Sequence, residues 1–341
     1  MNRADHPSDG RLSRRTLLAG TAAGALGATT GTASAQRCPA PPHVKGPVVW
    51  LDLDQQELDD AYDQSVYAFN QGNIAERTRA NSELARAILG PPQRVAYGLT
   101  EIEQLDIYRR GRPAAPVFVF IHGGAWRSGR SKEFATPAEM FLAAGAHYVV
   151  PDFALVQDVG GSLMVLADQV RRAIAWVYEN VARYEGDPDR LYIGGQSSGG
   201  HLAAVAATTD WQRDFNLPAD IIKGGLCISG MYDLEPVRLS ARSRYVAFDD
   251  ATVAALSPIR HLDRLQAPLV VAYGTCETPE FQRQNRDFAA AVEAAGKKVR
   301  LLVGELYNHF ELPETLGNPY GLLGRAALDL MGLRTGSDGS L

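Results

Sequence analysis

A serine set among glycines, Gly195-Gln196-Ser197-Ser198-Gly199-Gly200, follows the apolar run Leu191 to Ile193 and precedes a small-residue segment, His201 to Ala207. G-x-S-x-G between a strand and a helix lifts a hydroxyl out of a sharp turn, and the glycines are needed because a Cβ would strike the neighbouring backbone. A serine hydroxyl is a poor nucleophile near neutral pH, so it requires a base to take its proton and a third group to orient that base. The base is expected at His309, in Leu306-Tyr307-Asn308-His309-Phe310-Glu311 after the apolar Leu301 to Val303. His201 lies directly behind the turn, His261 in a polar connection, His147 at the start of a strand, and His6 and His43 ahead of the core. The acid is expected between serine and histidine, at Glu277, where Leu269 to Ala272 ends. Glu280 is expected to cap the following helix, Phe281 to Ala295, where a carboxylate suits the positive end of the dipole. Asp249 and Asp250 fall away from any strand end. A tetrahedral intermediate also needs pre-placed N–H donors for its oxyanion. His122-Gly123-Gly124-Ala125-Trp126 supplies Gly123 and Gly124, to which the amide of Ser198 is added, and His122 is expected to brace the loop. Together these residues could perform acyl transfer through an attacked carbonyl.

All of them must sit at strand ends. Val117-Phe118-Val119-Phe120-Ile121 is an unbroken apolar run, which suits a strand buried on both faces in a parallel sheet covered by helices. Similar segments recur at Tyr148 to Val150, Leu191 to Ile193, Leu226 to Ile228, Leu269 to Ala272 and Val299 to Val303. Helical stretches separate them. The clearest is Leu163 to Tyr184, with Val170, Ala173, Ile174, Val177 and Val181 on one face. The alternation predicts an α/β fold, a mostly parallel central sheet flanked by helices, with ligands at the carboxyl ends of the strands. Arg94 to Tyr97 and Glu101 to Tyr108 read as an antiparallel pair at the sheet edge. Leu53 to Phe69 and Ile74 to Leu89 read as two polar-rich helices, the second stopped by Gly90-Pro91-Pro92. They, and the charged segment 230–258, are candidates for small helical caps over the site.

The 341 residues carry 34 Lys and Arg against 39 Asp and Glu, a net charge of −5 that offers no basic field for a nucleic-acid partner. Composition is that of a globular protein, 45% hydrophobic and 21% charged, which excludes disorder, collagen and coiled coil. Cys38, Cys227 and Cys276 are too few for a disulfide framework and wrongly spaced for zinc. At the N-terminus, Ser13-Arg14-Arg15-Thr16-Leu17-Leu18 precedes a weakly apolar run to Gly31 and then Ala33-Ser34-Ala35. Paired arginines, an apolar run and a small-residue cleavage site, in that order, describe a twin-arginine export signal. Such a run is too short and Gly-rich for a stable membrane anchor. Cleavage after Ala35 would remove four arginines and two aspartates, leaving 30 basic and 37 acidic residues and a charge of −7. The expected plan is a signal peptide at 1–35, a lead-in and helical cap at 36–92, a catalytic domain at 93–333 and a flexible tail at 334–341. The expected partner outside the export machinery is a small molecule, and the expected location periplasmic or secreted.

Taken together, Leu58-Asp59-Asp60-Ala61-Tyr62-Asp63-Gln64-Ser65, Glu103-Gln104-Leu105-Asp106-Ile107-Tyr108, His122-Gly123-Gly124-Ala125-Trp126, Gly195-Gln196-Ser197-Ser198-Gly199-Gly200-His201-Leu202, Glu277-Thr278-Pro279-Glu280-Phe281 and Asn308-His309-Phe310 resemble the α/β-hydrolase superfamily. Within it the chain resembles the kynurenine formamidase (arylformamidase) branch, adjoining hormone-sensitive-lipase-like carboxylesterases. One departure stands at the nucleophile. Formamidases of this branch usually carry His-Ser-Ala-Gly, where this chain has Gln196-Ser197-Ser198-Gly199. The resemblance implies an α/β-hydrolase fold and a serine hydrolase that cleaves carboxylic esters of small molecules through Ser197, His309 and Glu277. It calls for neither a metal nor an organic cofactor. Arylformamidase or amidase activity is the alternative, and a non-catalytic binding protein on the same fold a further one. Trp126, Phe153, Met231, Tyr232, Tyr245, Phe248 and Phe310 are the candidates for a substrate pocket.

Overall fold

Eight strands form one sheet in the computed structural model, which describes residues 43–109 and 111–334. In chain order they are β1 (Gln93–Ala96), β2 (Gln104–Tyr108), β3 (Ala115–Ile121), β4 (His147–Pro151), β5 (Gly186–Gln196), β6 (Ile222–Ile228), β7 (Leu269–Gly274) and β8 (Val299–Gly304). Across the sheet the order is β8-β7-β6-β5-β3-β4-β2-β1. β1 and β2 pair antiparallel, β2 runs antiparallel to β4, and every other pairing is parallel. All seven residues of β3 are buried, as the apolar run requires at the centre of a sheet covered on both faces.

Two apolar layers hold the helices to the sheet. On one side Val117, Val119, Ile121, Ile193 and Val271 pack with the helix Leu163–Asn180 through Leu166, Val170, Ile174 and Val177. On the other, Phe118, Phe120, Tyr148 and Leu226 pack with Phe141, Leu323 and Ala327. Alternate side chains of each strand thus serve opposite layers, the period of two that a doubly covered sheet imposes. Helix Ser198–Ala207, behind β5, is buried along its whole length. Its small residues let it lie close against the strands.

The N-terminal segment differs from expectation. Instead of one helix over 53–69, Leu53–Asp54 pairs with Val48–Trp50 as a small antiparallel hairpin, and a helix follows at Gln55–Ala61. Asp54 starts that helix: its carboxylate accepts from the amide of Glu57 at 2.9 Å while Glu57 accepts from the amide of Asp54. Asp63 then caps a separate turn, Gln64–Val66, by accepting from Ser65. A second helix, Gln71–Leu89, ends at Gly90 before two prolines. Leu163 to Tyr184 is α-helical to Asn180 and closes with a 3-10 turn. The expected signal peptide, the start of the lead-in with Cys38, and the tail from residue 335 lie outside the described residues. Among the described residues no helix is long and apolar enough to cross a membrane.

Candidate active site

β5 ends at Gln196 and the next helix begins at Ser198, so Ser197 alone makes the turn. Its backbone has φ 59° and ψ −123°, a conformation rarely held by a residue with a side chain. Tight packing enforces it. The amide of Ser197 donates to the carbonyl of Ile228 on β6 at 2.8 Å. A Cβ on Gly199 would collide with the carbonyls of Ile121 and His122, and one on Gly195 with the carbonyl of Gly199. The turn therefore fits only when these positions are glycine. Ser197 is 6% exposed and lines a cleft of about 630 Å³ at the carboxyl ends of the strands.

His309 lines the same cleft, in the loop after β8, and Glu277 lies in the loop after β7. Nδ1 of His309 donates to Oε2 of Glu277 at 2.9 Å. The other oxygen of Glu277 accepts from Ser229 Oγ at 2.7 Å and from the amide of Gly274 at 2.6 Å. Three donors thus hold a carboxylate that is 1% exposed, and this fixes which nitrogen of His309 carries the proton. Phe281 and Phe310 stand edge-on to the imidazole at 5.0 and 5.3 Å between ring centres. With Nδ1 committed to Glu277, Nε2 has its lone pair available as an acceptor. In this structure it accepts from the side-chain amide of Gln196 at 3.1 Å, and the same amide reaches the His309 carbonyl at 3.3 Å.

The loop after β3 closes the other side of the serine. A Cβ on Gly123 would lie 2.5 Å from Gln196 Oε1 and 3.3 Å from Ser197 Cβ, which places this glycine directly beside the hydroxyl-bearing residue. Gly124 has φ 114° and lines the cleft. Its carbonyl accepts from the amides of Arg127 and Ser128, which folds the loop back on itself. Among the described residues the amides of Gly123, Gly124 and Ser198 donate to no protein acceptor, so all three remain available for an oxyanion. His122 braces this loop: Nδ1 bonds the carbonyl of Gly123 at 2.9 Å, and the ring stacks between Phe153 and Phe134. Burial lowers its pKa, so it stays neutral.

Of the seven aromatic and methionine candidates for the pocket, the structure brings only Tyr245 and Phe310 to the cleft wall. Trp126, Phe153, Met231 and Tyr232 are buried in the core, and Phe248 packs edge-on against Trp126 at 6.3 Å rather than facing the serine. An aromatic ring on an α/β scaffold gains more from burial than from exposure in a wet cleft. The actual wall is polar. Asp59, Asp60 and Asp63 come from the N-terminal segment, Arg242 and Arg244 from the connection after β6, and Arg127 from the loop after β3. Both expected cap segments therefore border the site. Glu280 does not cap its helix. Thr278 does, accepting from the amide of Phe281 at 3.4 Å, while Glu280 pairs with Arg283 at 2.6 Å and receives the hydroxyl of Tyr62.

Sequence reasoning missed Ser229 and Arg242. Ser229 follows directly on the last residue of β6 and has φ 52°; a polar residue at the carboxyl end of a buried strand was the signal that could have found it. No local pattern marks Arg242.

Comparison with known proteins fits this geometry. Residues 105–224, which span β2 to β6 and include the serine turn, match the BD-FAE family model. Kynurenine formamidase of Danio rerio is 27% identical over 83% of this chain and 98% of that protein. The chain has the α/β-hydrolase fold. In sequence it is similar both to kynurenine formamidases and to esterases. Esterase LipQ of Mycobacterium tuberculosis is 30% identical over 61% of this chain and 56% of that protein. The fold also matches the crystal structure of esterase LipW from Mycobacterium marinum, with a TM-score of 0.62 and 19% identity over 79% of this chain and 91% of that one.

Proposed function

We propose that this α/β-hydrolase is an exported serine esterase for small carboxylic esters, working through Ser197, His309 and Glu277 by way of an acyl-enzyme. Hydrolysis of esters or amides is the activity its relatives share. The observation that carries the finer reading is the Glu277–His309 bond at the strand ends, beside a serine in a strained turn and three undonated backbone amides. In the first half-reaction Ser197 Oγ bonds to the substrate carbonyl carbon while its proton passes to His309 Nε2. The carbonyl electron pair moves onto oxygen, where the amides of Gly123, Gly124 and Ser198 receive it. When the tetrahedral species collapses, the bond to the leaving oxygen breaks and His309 returns the proton to that oxygen. Water then repeats the sequence on the acyl-enzyme, giving up one proton to His309 and releasing the acid and free Ser197. Gln196 must release Nε2 at each proton transfer, because one lone pair cannot serve two donors.

Cleavage of N-formyl or other aryl amides is the second reading, favoured by the near-complete span of the kynurenine formamidase match. The same proton transfers then go to a leaving nitrogen. Export rests on Arg14-Arg15, the apolar run and Ala33-Ser34-Ala35. One assay tests the whole reading: turnover of short p-nitrophenyl esters and of N-formylkynurenine, with fluorophosphonate labelling of wild type and Ser197→Ala. Ester turnover with labelling lost in the variant supports the esterase; dominant N-formylkynurenine hydrolysis assigns the formamidase. Folded wild-type protein without labelling or turnover would refute catalysis.

A further inference from the structure

Arg242 is an arginine without a counter-ion. It sits on the 3-10 turn Ala241–Arg244, is 8% exposed, and lines the cleft that holds Ser197 and His309. Nη1 donates to the hydroxyl of Tyr245 at 3.0 Å and Nη2 to the carbonyl of Tyr62 at 2.8 Å, while Nε is buried with no partner. Among the described residues it forms no ion pair. Other arginines whose partners are buried are neutralised directly: Arg283 meets Glu280 at 2.6 Å, and Arg94 meets Asp106 at 2.8 Å and Asp152 at 2.6 Å. Removing a guanidinium from water without a carboxylate is costly, and two neutral acceptors do not neutralise it.

The position of this charge relates it to the reaction. Its guanidinium carbon lies 5.6 Å from the ring centre of Trp126 and 6.0 Å from that of Phe281, and Phe281 is the ring set edge-on to His309. A second uncompensated cation stands next to it. Arg127 lies over the ring of Tyr245 at 4.7 Å and, among the described residues, forms no ion pair. None of the carboxylates of the cleft wall pairs with Arg242, and only Asp59 meets another cation. Asp59 accepts from the amide of Ala241 at 2.6 Å and from Gln55 at 2.9 Å, with Arg244 at 3.5 Å; Asp60 holds Gln56; Asp63 caps the turn at Ser65.

We propose that Arg242, assisted by Arg127 and Tyr245, forms a carboxylate-binding subsite, so that the preferred substrates are esters or amides bearing a free carboxylate. This deepens the hydrolase reading above and rests on it. A guanidinium presents paired donors that match the two oxygens of a carboxylate, and the flat walls of Trp126 and Phe281 hold it in one plane.

The test uses matched aryl acetates, 3- and 4-acetoxybenzoate against the corresponding acetoxybenzamides, which keep the shape and the acyl group while removing the charge, with rates corrected for the acidity of the leaving phenol by the uncatalysed hydrolysis of each compound. Wild-type kcat/KM is expected to favour the better carboxylate by about tenfold or more, carried mainly by KM. In Arg242→Gln that ratio should fall to about one, and Arg242→Lys should restore part of it. The wild-type protein alone provides a second arm should the variants fail to fold. Its KM for the carboxylate should rise with added salt while its KM for the carboxamide stays level. Equal kcat/KM for the two classes, or a KM for the carboxylate that ignores salt, overturns the subsite and leaves the hydrolase standing. Absence of turnover on all four compounds together with absence of fluorophosphonate labelling overturns both.

Discussion

The side-chain amide of Gln196 lies 3.1 Å from Nε2 of His309, the nitrogen that takes the proton of Ser197 in the proposed reaction. The residue that precedes Ser197 thus holds the imidazole of His309 in place. Its oxygen faces Gly123 at the same time, so one carboxamide spans the oxyanion loop and the histidine. Gln196→Ala is expected to lower kcat by about tenfold with little change in KM, because both sides of the site lose their register. Steady-state kinetics on a p-nitrophenyl ester decides this. A faster variant would show instead that the amide chiefly competes with Ser197 for Nε2.

Glu277 reaches His309 with one oxygen and two protein donors with the other. Replacing it by glutamine keeps the shape but puts an amide where Nδ1 needs an acceptor. Turnover should fall by about 10³ to 10⁴, as expected when the imidazole is left in the wrong tautomer. Ser229→Ala removes one of the two supporting donors and should cost only about tenfold. If the two variants proved equally active, Glu277 would not be the orienting acid.

Gly199→Ala sets a methyl group against the carbonyls of Ile121 and His122. Both belong to the central strand and its loop, neither of which can retreat. A loss of more than about 3 kcal/mol of stability, or failure to accumulate as soluble protein, is expected. Thermal denaturation beside Gly72→Ala provides the comparison, since a Cβ at that exposed helical position meets nothing within 4 Å.

Stability should weaken in mild acid. His201 is fully buried against Trp126, donates Nε2–H to the carbonyl of Leu256 at 2.8 Å, and is held down at about 4 by burial. Burial also lowers His122 and His147. In the unfolded chain a histidine titrates near pH 6.5, so between that value and about 4 the unfolded state binds at His201 a proton that the folded state refuses, and the lowered His122 and His147 act in the same direction. The stabilisation is complete above pH 6.5 and is lost as the pH falls through this window. Urea midpoints at pH 7.5, 5.5 and 4.5 should therefore decline, less steeply in His201→Gln than in wild type. An equal decline would place the acid sensitivity elsewhere.

Export should depend on the arginine pair. Arg14→Lys with Arg15→Lys in the full chain is expected to leave unprocessed protein inside the cell, while wild type is recovered outside the cytoplasm with Gln36 as its first residue. N-terminal sequencing of the two fractions reads the outcome directly, and export of the double variant would refute a twin-arginine signal.

Much of this molecule was legible in its sequence because the relevant signals are local. An unbroken apolar run such as Val117 to Ile121 has no stable place except between two layers, and a glycine-flanked serine between strand and helix has few backbone conformations open to it. Strand ends then indicated where Ser197, Glu277, His309 and the Gly123-Gly124 loop would gather, because parallel strands deliver their carboxyl ends to one edge. Tertiary structure alone decided what surrounds them. Whether Trp126 or Tyr245 faces a cleft depends on which aromatic ring the core can absorb, and nothing within a few residues of either one specifies that. Gln196 touches a histidine 113 positions away, and Arg242 meets no carboxylate among the described residues, while Asp59 accepts from a neighbouring amide and lies against Arg244. Such pairings are settled by packing and by competition among all the charges within reach, which exist only once the chain has folded.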